Sequence, residues 1–377
     1  MSLAEVLAKH RVVVCVGSGG VGKTTTSAAL ALHAAIGGRR VLCLTIDPAK
    51  RLANSLGLQT MTTEEQLVSP ELFAAAGLSA QGSLSAMMLD TKRTFDEIVT
   101  RYASSPERAK RIFDNKLYQY ISTSLAGTQE YMAMEKLYSV RQSKSYDLIV
   151  LDTPPTTNAL DFLNAPEKLV DVIDSPAIRW FMQAFGGAGK LGFNLFNRGA
   201  QMVLKGLSKF TGGEFLESVA QFIGDINDLF GGFSERAKQV SAGLRGPEVA
   251  FVLVTSPDPL AVQEAIFFAE KLSESGLHQQ GTVINRVTQL LPEPPGTESE
   301  VAMALSAKLP SMDSAALLAK LDTALDDDRL RAVTDRGEVE RLKALTGNRG
   351  LYIEVPAFEQ DVHDLGALAR VASFLVG

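Results

Sequence analysis

Short, continuous runs of hydrophobic residues alternate along this chain with longer stretches whose apolar residues recur at helical spacing. The short runs are rich in Val, Ile and Leu without regular polar alternation, which is typical of parallel strands covered on both faces. The predicted strands are Val12–Val16, Arg40–Thr45, Asp147–Asp152, Val249–Thr255, Gly281–Asn285 and Leu351–Val355. The predicted helices are residues 24–36, 92–103, 128–142, 260–275, 313–331 and 364–375. This order predicts an α/β fold with a doubly wound, mostly parallel sheet, whose ligand lies at the carboxyl ends of the strands.

Two long segments interrupt the alternation, and we predict that both are helical inserts within a single domain spanning residues 1–377. The first insert is about 58–145 and the second is about 160–245. Residues 180–233 hold the only tryptophan, Trp180, and nine of the 18 phenylalanines. Two interpretations stay open. In the first, these aromatic side chains are packed, either inside a helical subdomain or in a dimer contact. In the second, they form a surface that binds a hydrophobic ligand or partner.

Composition and charge exclude several classes of protein. Charged residues make up 21% of the chain and the net charge is −6, so we expect no nucleic-acid partner. No apolar run reaches the roughly twenty residues of a membrane-spanning helix, and residues 1–10 lack the apolar core of a signal peptide. Cys15 and Cys43 fall inside predicted strands and leave no Cys-x-x-Cys pair for zinc. We therefore expect a cytoplasmic protein without a transmembrane segment.

The most specific chemical signal is the segment Val16–Thr25, which reads Val-Gly-Ser-Gly-Gly-Val-Gly-Lys-Thr-Thr. It satisfies the pattern G-x-x-x-x-G-K-[ST] between a predicted strand and a predicted helix, which is the context of a phosphate-binding loop. The residues expected to surround the phosphates are Gly19, Gly20, Val21, Gly22, Lys23, Thr24 and Thr25. Lys23 is expected to bind the β- and γ-phosphates and to act in catalysis, and Thr24 to bind Mg²⁺. The loop therefore predicts binding of ATP or GTP.

Polar residues at the ends of other predicted strands are further candidates for the same site. Asp152 is expected to bind Mg²⁺, directly or through water, and the alternative is that it caps the next turn. Asp47 is a candidate for orienting the attacking water and for binding the metal, and the alternative is an Asp-Pro turn. Asn285, followed by Arg286, is a candidate for binding the adenine edge, and a structural asparagine is the alternative. The loop that begins at Pro356 is expected to close over the same base.

Taken together, these segments resemble the ArsA ATPase family nearly from end to end. Gly19–Thr25 is similar to the family's phosphate loop, Thr45–Ala49 to its first switch and Asp152–Thr156 to its second switch. Asn285 stands where the family's adenine-contacting asparagine lies, and Pro356 begins a segment similar to its adenine loop. The resemblance implies a P-loop NTPase fold and a Mg²⁺-dependent ATPase in which the aspartate of the first switch positions the water.

The resemblance also implies partners. The family includes ATPases that guide tail-anchored proteins to membranes, so we expect a homodimer or a heterodimer with a paralogue. The aromatic second insert would then bind a hydrophobic or membrane-protein client, and nucleotide hydrolysis would move it. Two other classes stay open, a MinD-like regulatory ATPase and a pseudo-ATPase subunit that acts with a paralogue.

Four departures from the family pattern bear on mechanism. Ser18 occupies the position of the family's second lysine, which reaches the partner subunit's nucleotide. The first switch continues with Lys50 and Arg51 in place of His-Asn. Two alternatives stay open: one of these residues replaces the positive charge that Ser18 lacks, or both are surface charges. Residues 157–159 read Thr-Asn-Ala where Gly-His-Thr is common. The family's zinc and metalloid cysteines are absent, so an arsenite-pump function would rest on fold analogy alone.

Overall fold

The computed structural model describes residues 2–46, 51–58, 60–116, 128–153, 235–291, 298–309, 313–347 and 350–377, with a few single positions between 118 and 222. The strands are β1 (Val12–Val16), β2 (Arg40–Thr45), β3 (Gln66–Leu67), β4 (Ser83–Met88), β5 (Leu148–Asp152), β6 (Val249–Thr255), β7 (Gln279–Val287) and β8 (Tyr352–Pro356). The named helices are α1 (Leu3–Lys9), α2 (Lys23–Ile36), α3 (Arg51–Ser55), α4 (Pro70–Ala75), α5 (Thr91–Tyr102), α6 (Pro106–Asp114), α7 (Thr128–Ser143), α8 (Pro259–Glu274), α9 (Glu298–Lys308), α10 (Ser314–Leu345) and α11 (Leu365–Val376).

These strands form one eight-stranded sheet in the order β3-β4-β2-β5-β1-β6-β7-β8. Every neighbouring pair is parallel except β3 with β4. The register places Asp152 of β5 opposite Cys15 of β1 on one side and opposite Thr45 of β2 on the other. The carboxyl ends of the three central strands are therefore level, and the residues that follow them meet at one edge of the sheet.

The core lies on both faces of the sheet because the central strands are hydrophobic at successive positions, apart from residues at their ends. Val12, Val14 and Val16 of β1 face a layer that includes α7 and α8, while Val13 and Cys15 face a layer built from α2 and α11. All five β1 residues are buried. The uniform hydrophobic pattern is thus explained by two covered faces, as expected for a doubly wound sheet.

The strand predictions are confirmed. Three strands have the predicted bounds and the other three differ by at most two residues at either end. The range 58–145 is not wholly helical, however, since β3 and β4 lie within it. β4 pairs with β2 along six positions, from Arg40 opposite Ser83 to Thr45 opposite Met88. It therefore satisfies the backbone groups on the outer side of β2, which outweighs the weak strand propensity of its Ser, Ala and Met residues.

The helix predicted over 313–331 continues to Leu345 as α10. Its second half is fixed by Val339 and Leu342, which are completely buried against the layer that contains α8. The other predicted helices agree with the structure to within one residue at each end.

The second predicted insert, about 160–245, lies mostly outside the described residues, and so does Trp180. Its described end, residues 235–244, is helical. There Arg236 lies against α7, with Nε 2.9 Å and 3.1 Å from the two carboxylate oxygens of Glu135. Within the part of the chain that the structure describes, no helix is long and apolar enough to cross a membrane.

Candidate functional site

The glycine loop between β1 and α2 has a positive φ at three glycines, and at two of them a side chain would also collide with a neighbouring strand. Gly17 has φ of 151°, and a Cβ there would lie 2.0 Å from the carbonyl oxygen of Val254 in β6. Gly22 has φ of 98°, and a Cβ there would lie 2.1 Å from Nδ2 of Asn285. Gly22 also precedes α2 without a side-chain hydrogen bond to the helix. The first N–H groups of α2 are therefore left for another acceptor.

Lys23, the first residue of α2, is folded back over the loop. Its Nζ donates hydrogen bonds to the carbonyl oxygens of Gly17 at 3.0 Å and Ser18 at 2.7 Å. The side chain is buried, with 6% of its surface exposed. A buried ammonium group needs polar partners, and these carbonyl groups hold it at the loop. The sequence-predicted cation is thus positioned beside the residues that were expected to surround the phosphates.

A hydroxyl and carboxylate cluster lies next to the start of α2. Asp152, which is 0% exposed, accepts hydrogen bonds at Oδ2 from Thr24 Oγ1 at 2.8 Å and from Thr45 Oγ1 at 2.9 Å. The next residue, Thr153, donates from its hydroxyl to the carbonyl oxygen of Cys15 at 2.8 Å. The parallel register of β2, β5 and β1 brings these groups together. Oxygen ligands of this kind are the donor set that Mg²⁺ prefers, so the cluster fits that metal chemically.

Asn285 and Arg286 reach the loop from the other side. The register of β7 and β8 shifts between Asn285 and Val287, and Arg286 at this irregularity has a positive φ of 62°. Nδ2 of Asn285 donates to the carbonyl oxygen of Val21 at 2.9 Å, and a guanidinium nitrogen of Arg286 donates to that of Gly20 at 2.5 Å. Few non-glycine residues adopt a left-handed conformation, and those that do are concentrated at functional sites.

The loop residues and Arg286 line one cleft of about 530 Å³. Asp152 and Asn285 do not line it themselves, but they are hydrogen-bonded to Thr24 and Val21 of the loop. Several of the residues that line the cleft were not singled out as site residues from the sequence. They are Asn54, Ser55, Thr153, Asp361, Val362 and His363. Arg51, whose sequence position is consistent with either a surface role or a site role, also lines this cleft. Asp361 and His363 belong to no local sequence motif, and the segment after β8 brings them to the cleft only in the folded chain.

For two other predicted site residues, the described structure shows a contact neither with this cleft nor with the glycine loop. Asp47 lies outside the described residues. Pro356, at the end of β8, lines a second cleft of about 520 Å³ together with Val287, Leu290 and Val333. The chain that begins at Pro356 does reach the first cleft, but five residues later, at Asp361.

The two cysteines are core residues, as their positions in predicted strands indicated. Both side chains are 0% exposed. Burial raises the pKa of the Cys15 thiol to about 12 and raises that of Cys43 well above its ordinary value. Both groups are therefore neutral thiols near pH 7, and the thiolate form that binds soft metals is disfavoured.

The parallel sheet and the glycine loop at the start of α2 define a P-loop nucleotide-binding protein. Comparison with known proteins identifies one family within this class. The family model of the anion-transporting ATPase, ArsA, matches residues 10–304. The chain therefore belongs to the ArsA family, and it is an ATP-binding ATPase.

Similar proteins carry the name ATPase GET3. The chain is 27% identical over 297 residues to ATPase GET3 of Malassezia globosa, covering 76% of this chain and 75% of that protein. It is 27% identical over 286 residues to that of Chaetomium globosum, covering 75% and 74%. A shorter match, 33% over 154 residues, links it to ATPase get3 of Aspergillus terreus and covers 41% and 42%.

Proposed function

We propose that this protein is a Mg²⁺-dependent ATP-hydrolysing switch, which binds ATP in the cleft above α2 and couples hydrolysis to movement of its second helical insert. The observation that carries the proposal is the contact between Thr24 and Asp152 beside the Lys23 ammonium group. A cation, a hydroxyl and a carboxylate at the N-terminus of a helix are the groups that hold a nucleoside triphosphate and its metal.

The loop binds the phosphates in this proposal. The N–H groups at the start of α2 and the inward-curling loop supply donors, and the helix dipole adds partial positive charge. Lys23 exchanges its contacts with the carbonyl oxygens of Gly17 and Ser18 for phosphate oxygens. Charge-assisted hydrogen bonds of this type are about twice as strong as neutral ones, so the exchange favours the bound state.

Thr24 and Asp152 would hold Mg²⁺, which when bound neutralises charge on the phosphate oxygens. Thr45 keeps the Asp152 carboxylate oriented by its hydrogen bond. Asp47, two residues beyond Thr45, is proposed to orient the attacking water, and its place in the chain just after β2 supports that role. Asn285 and Arg286 are proposed to contact the adenine end, since both reach the loop from β7.

We infer further that the protein works as a dimer and that its second insert binds a hydrophobic client. The support is the aromatic composition of residues 180–233 and the similarity to proteins named ATPase GET3. A MinD-like membrane regulator is a weaker candidate. The apolar side of α11, including Leu368, Val371 and Leu375, is buried in the core instead of being free for a lipid surface.

Hydrogen exchange tests the coupling of nucleotide to the insert. We expect residues 160–245 to exchange at different rates with ADP and with a slowly hydrolysed ATP analogue, because movement changes the opening of backbone hydrogen bonds. Helix α8, which lies outside the insert, is the internal control and should exchange equally in both states. Equal protection of the insert without nucleotide, with ADP and with the analogue would contradict the switch.

A further inference from the structure

Positively charged side chains converge on the nucleotide cleft from three elements. Among the described residues that line it, these are Lys23 of α2, Arg51 of α3 and Arg286 of β7. Lys23 is hydrogen-bonded to two carbonyl groups of the loop, and Arg286 to a third. Arg51 is exposed, and within the described part of the chain its guanidinium makes neither a hydrogen bond nor an ion pair. It is therefore the cation of this set whose hydrogen-bond donors are available to a ligand.

The backbone of Arg51 is nevertheless fixed. Leu52 and Leu56, which follow it, are 1% and 0% exposed and belong to the same buried layer as α2. Arg51, Asn54 and Ser55 lie along the cleft. A side chain that projects from an anchored helix into a cleft differs from an arginine on an open surface, because its reach is limited to that cleft.

The acidic groups in and beside the cleft do not form an ion pair with Arg51. Asp152 is buried and hydrogen-bonded to two threonines. Asp361 is highly exposed and lies next to His363, with Oδ2 of Asp361 3.8 Å from Nε2 of His363. The N-terminus of α2 adds further positive potential. Like charges brought together in a cleft are stabilised by an anion, and ATP carries more negative charge than ADP.

The order of strands indicates which part of the nucleotide Arg51 faces. The glycine loop follows β1. In the sheet, β6 lies between β1 and β7, and β5 lies between β1 and β2 on the other side. Adenine is proposed to lie toward Asn285 on β7, so the phosphate chain extends in the opposite direction, toward β5 and β2. Arg51 begins the helix that follows β2. It therefore stands at the end of the cleft where the terminal phosphate would lie.

We infer that Arg51 binds the terminal phosphate of ATP from within the same chain, and that it makes the site distinguish ATP from ADP. This inference rests on the proposed function, because it needs the nucleotide to lie with adenine toward Asn285. It assigns Arg51 to ligand recognition instead of to the solvated surface. It also supplies a positive charge at the γ-phosphate without any residue from a second subunit.

Calorimetric titration of the full chain with ADP and with ATPγS, both with Mg²⁺, tests the assignment. In Arg51→Ala we expect the affinity for ATPγS to fall about tenfold or more while that for ADP changes less than about twofold, as for the loss of one charged hydrogen bond. Arg51→Lys should keep part of the preference because it keeps the charge. Arg331→Ala removes an exposed arginine of α10 that does not line the cleft. It is the matched control and should bind both ligands like the wild type.

The outcomes separate the two levels of the proposal. An unchanged ratio of ATPγS to ADP affinity in Arg51→Ala would overturn the role of Arg51, and so would an equal loss for both ligands. If the wild type bound neither nucleotide, the proposed function would itself fail, and the role of Arg51 with it. A selective loss for ATPγS, partly restored in Arg51→Lys, would support both.

Discussion

Replacing Gly17 with alanine is expected to abolish measurable ATP binding while leaving most of the fold intact. The new methyl group would lie 2.0 Å from the carbonyl oxygen of Val254, and a backbone atom inside a sheet cannot turn away as a side chain can. The φ of 151° adds conformational strain. Together these effects cost about 2 to 5 kcal/mol, and the loop relieves them by leaving the path that positions Lys23. Calorimetric titration with ATP measures the loss.

A second glycine provides the matched control for this substitution. Gly77 also has a positive φ, of 70°, but a Cβ there would meet no atom within 4 Å, and it follows α4 outside the nucleotide cleft. Gly77→Ala therefore introduces backbone strain without the collision. We expect it to lower the unfolding temperature slightly and to keep ATP affinity. ATP binding by Gly17→Ala at wild-type affinity would contradict the geometry described for the loop.

Replacing Arg236 with alanine is expected to lower the free energy of unfolding by about 3 to 5 kcal/mol, because it leaves the Glu135 carboxylate buried without its charged partner. The two side chains are 10% and 3% exposed, and the Arg236 guanidinium also lies 4.2 Å from the ring centre of Tyr138. This pair joins α7 to the end of the second insert. Denaturant titration followed by circular dichroism measures the change.

The same variant carries a pH signature. Burial raises the pKa of Glu135 above its ordinary value even though Arg236 acts to lower it. Without Arg236 the pKa rises further, so the folded state retains a proton that the unfolded state releases. The stability deficit of Arg236→Ala should therefore be smaller near pH 5 than near pH 8. A deficit that does not change with pH would count against an uncompensated carboxylate.

Two further variants separate charge burial from simple loss of contact. Arg141, also on α7, pairs with Glu248 through a guanidinium that is 24% exposed, so Arg141→Ala should cost only about 0 to 1 kcal/mol. A double variant with methionine at both Glu135 and Arg236 should recover most of the stability, because no buried charge remains. Equal destabilisation by Arg236→Ala and Arg141→Ala would contradict the importance of burial.

Much of the fold could be predicted because its central strands carry an unambiguous signal. β1 is hydrophobic throughout, and β2 and β6 are hydrophobic except at their ends. Buried parallel strands are the environment that such runs require. The phosphate loop was equally clear, since its glycines satisfy steric demands that the structure displays at Gly17 and Gly22. Asp152 could be singled out because a carboxylate at the end of a buried strand needs a polar environment.

The remaining elements depend on tertiary contacts that a local pattern does not contain. Ser83–Met88 becomes a strand because β2 offers unpaired backbone groups beside it. α10 passes through three successive aspartates, residues 326–328, because its apolar anchors Val339 and Leu342 come later. Asp361 and His363 reach the cleft through the turn after β8, and Arg51 through the anchoring of α3. Such long-range placement leaves no periodicity or motif to detect.

Mg²⁺-dependent ATP hydrolysis that needs the Asp152 carboxylate is tested by measuring phosphate release from ATP by purified wild type and Asp152→Asn, with and without Mg²⁺. Asparagine keeps the shape that Thr24 and Thr45 contact but removes the negative charge. Asp147→Asn is the matched control, since Asp147 lies just before the same strand at its opposite end and pairs with Arg40 on the surface. We expect Mg²⁺-dependent hydrolysis in the wild type and the control, and a loss of at least about a hundredfold in Asp152→Asn. Wild-type turnover by Asp152→Asn, or turnover that does not depend on Mg²⁺, would rule out a Mg²⁺-dependent reaction that needs Asp152.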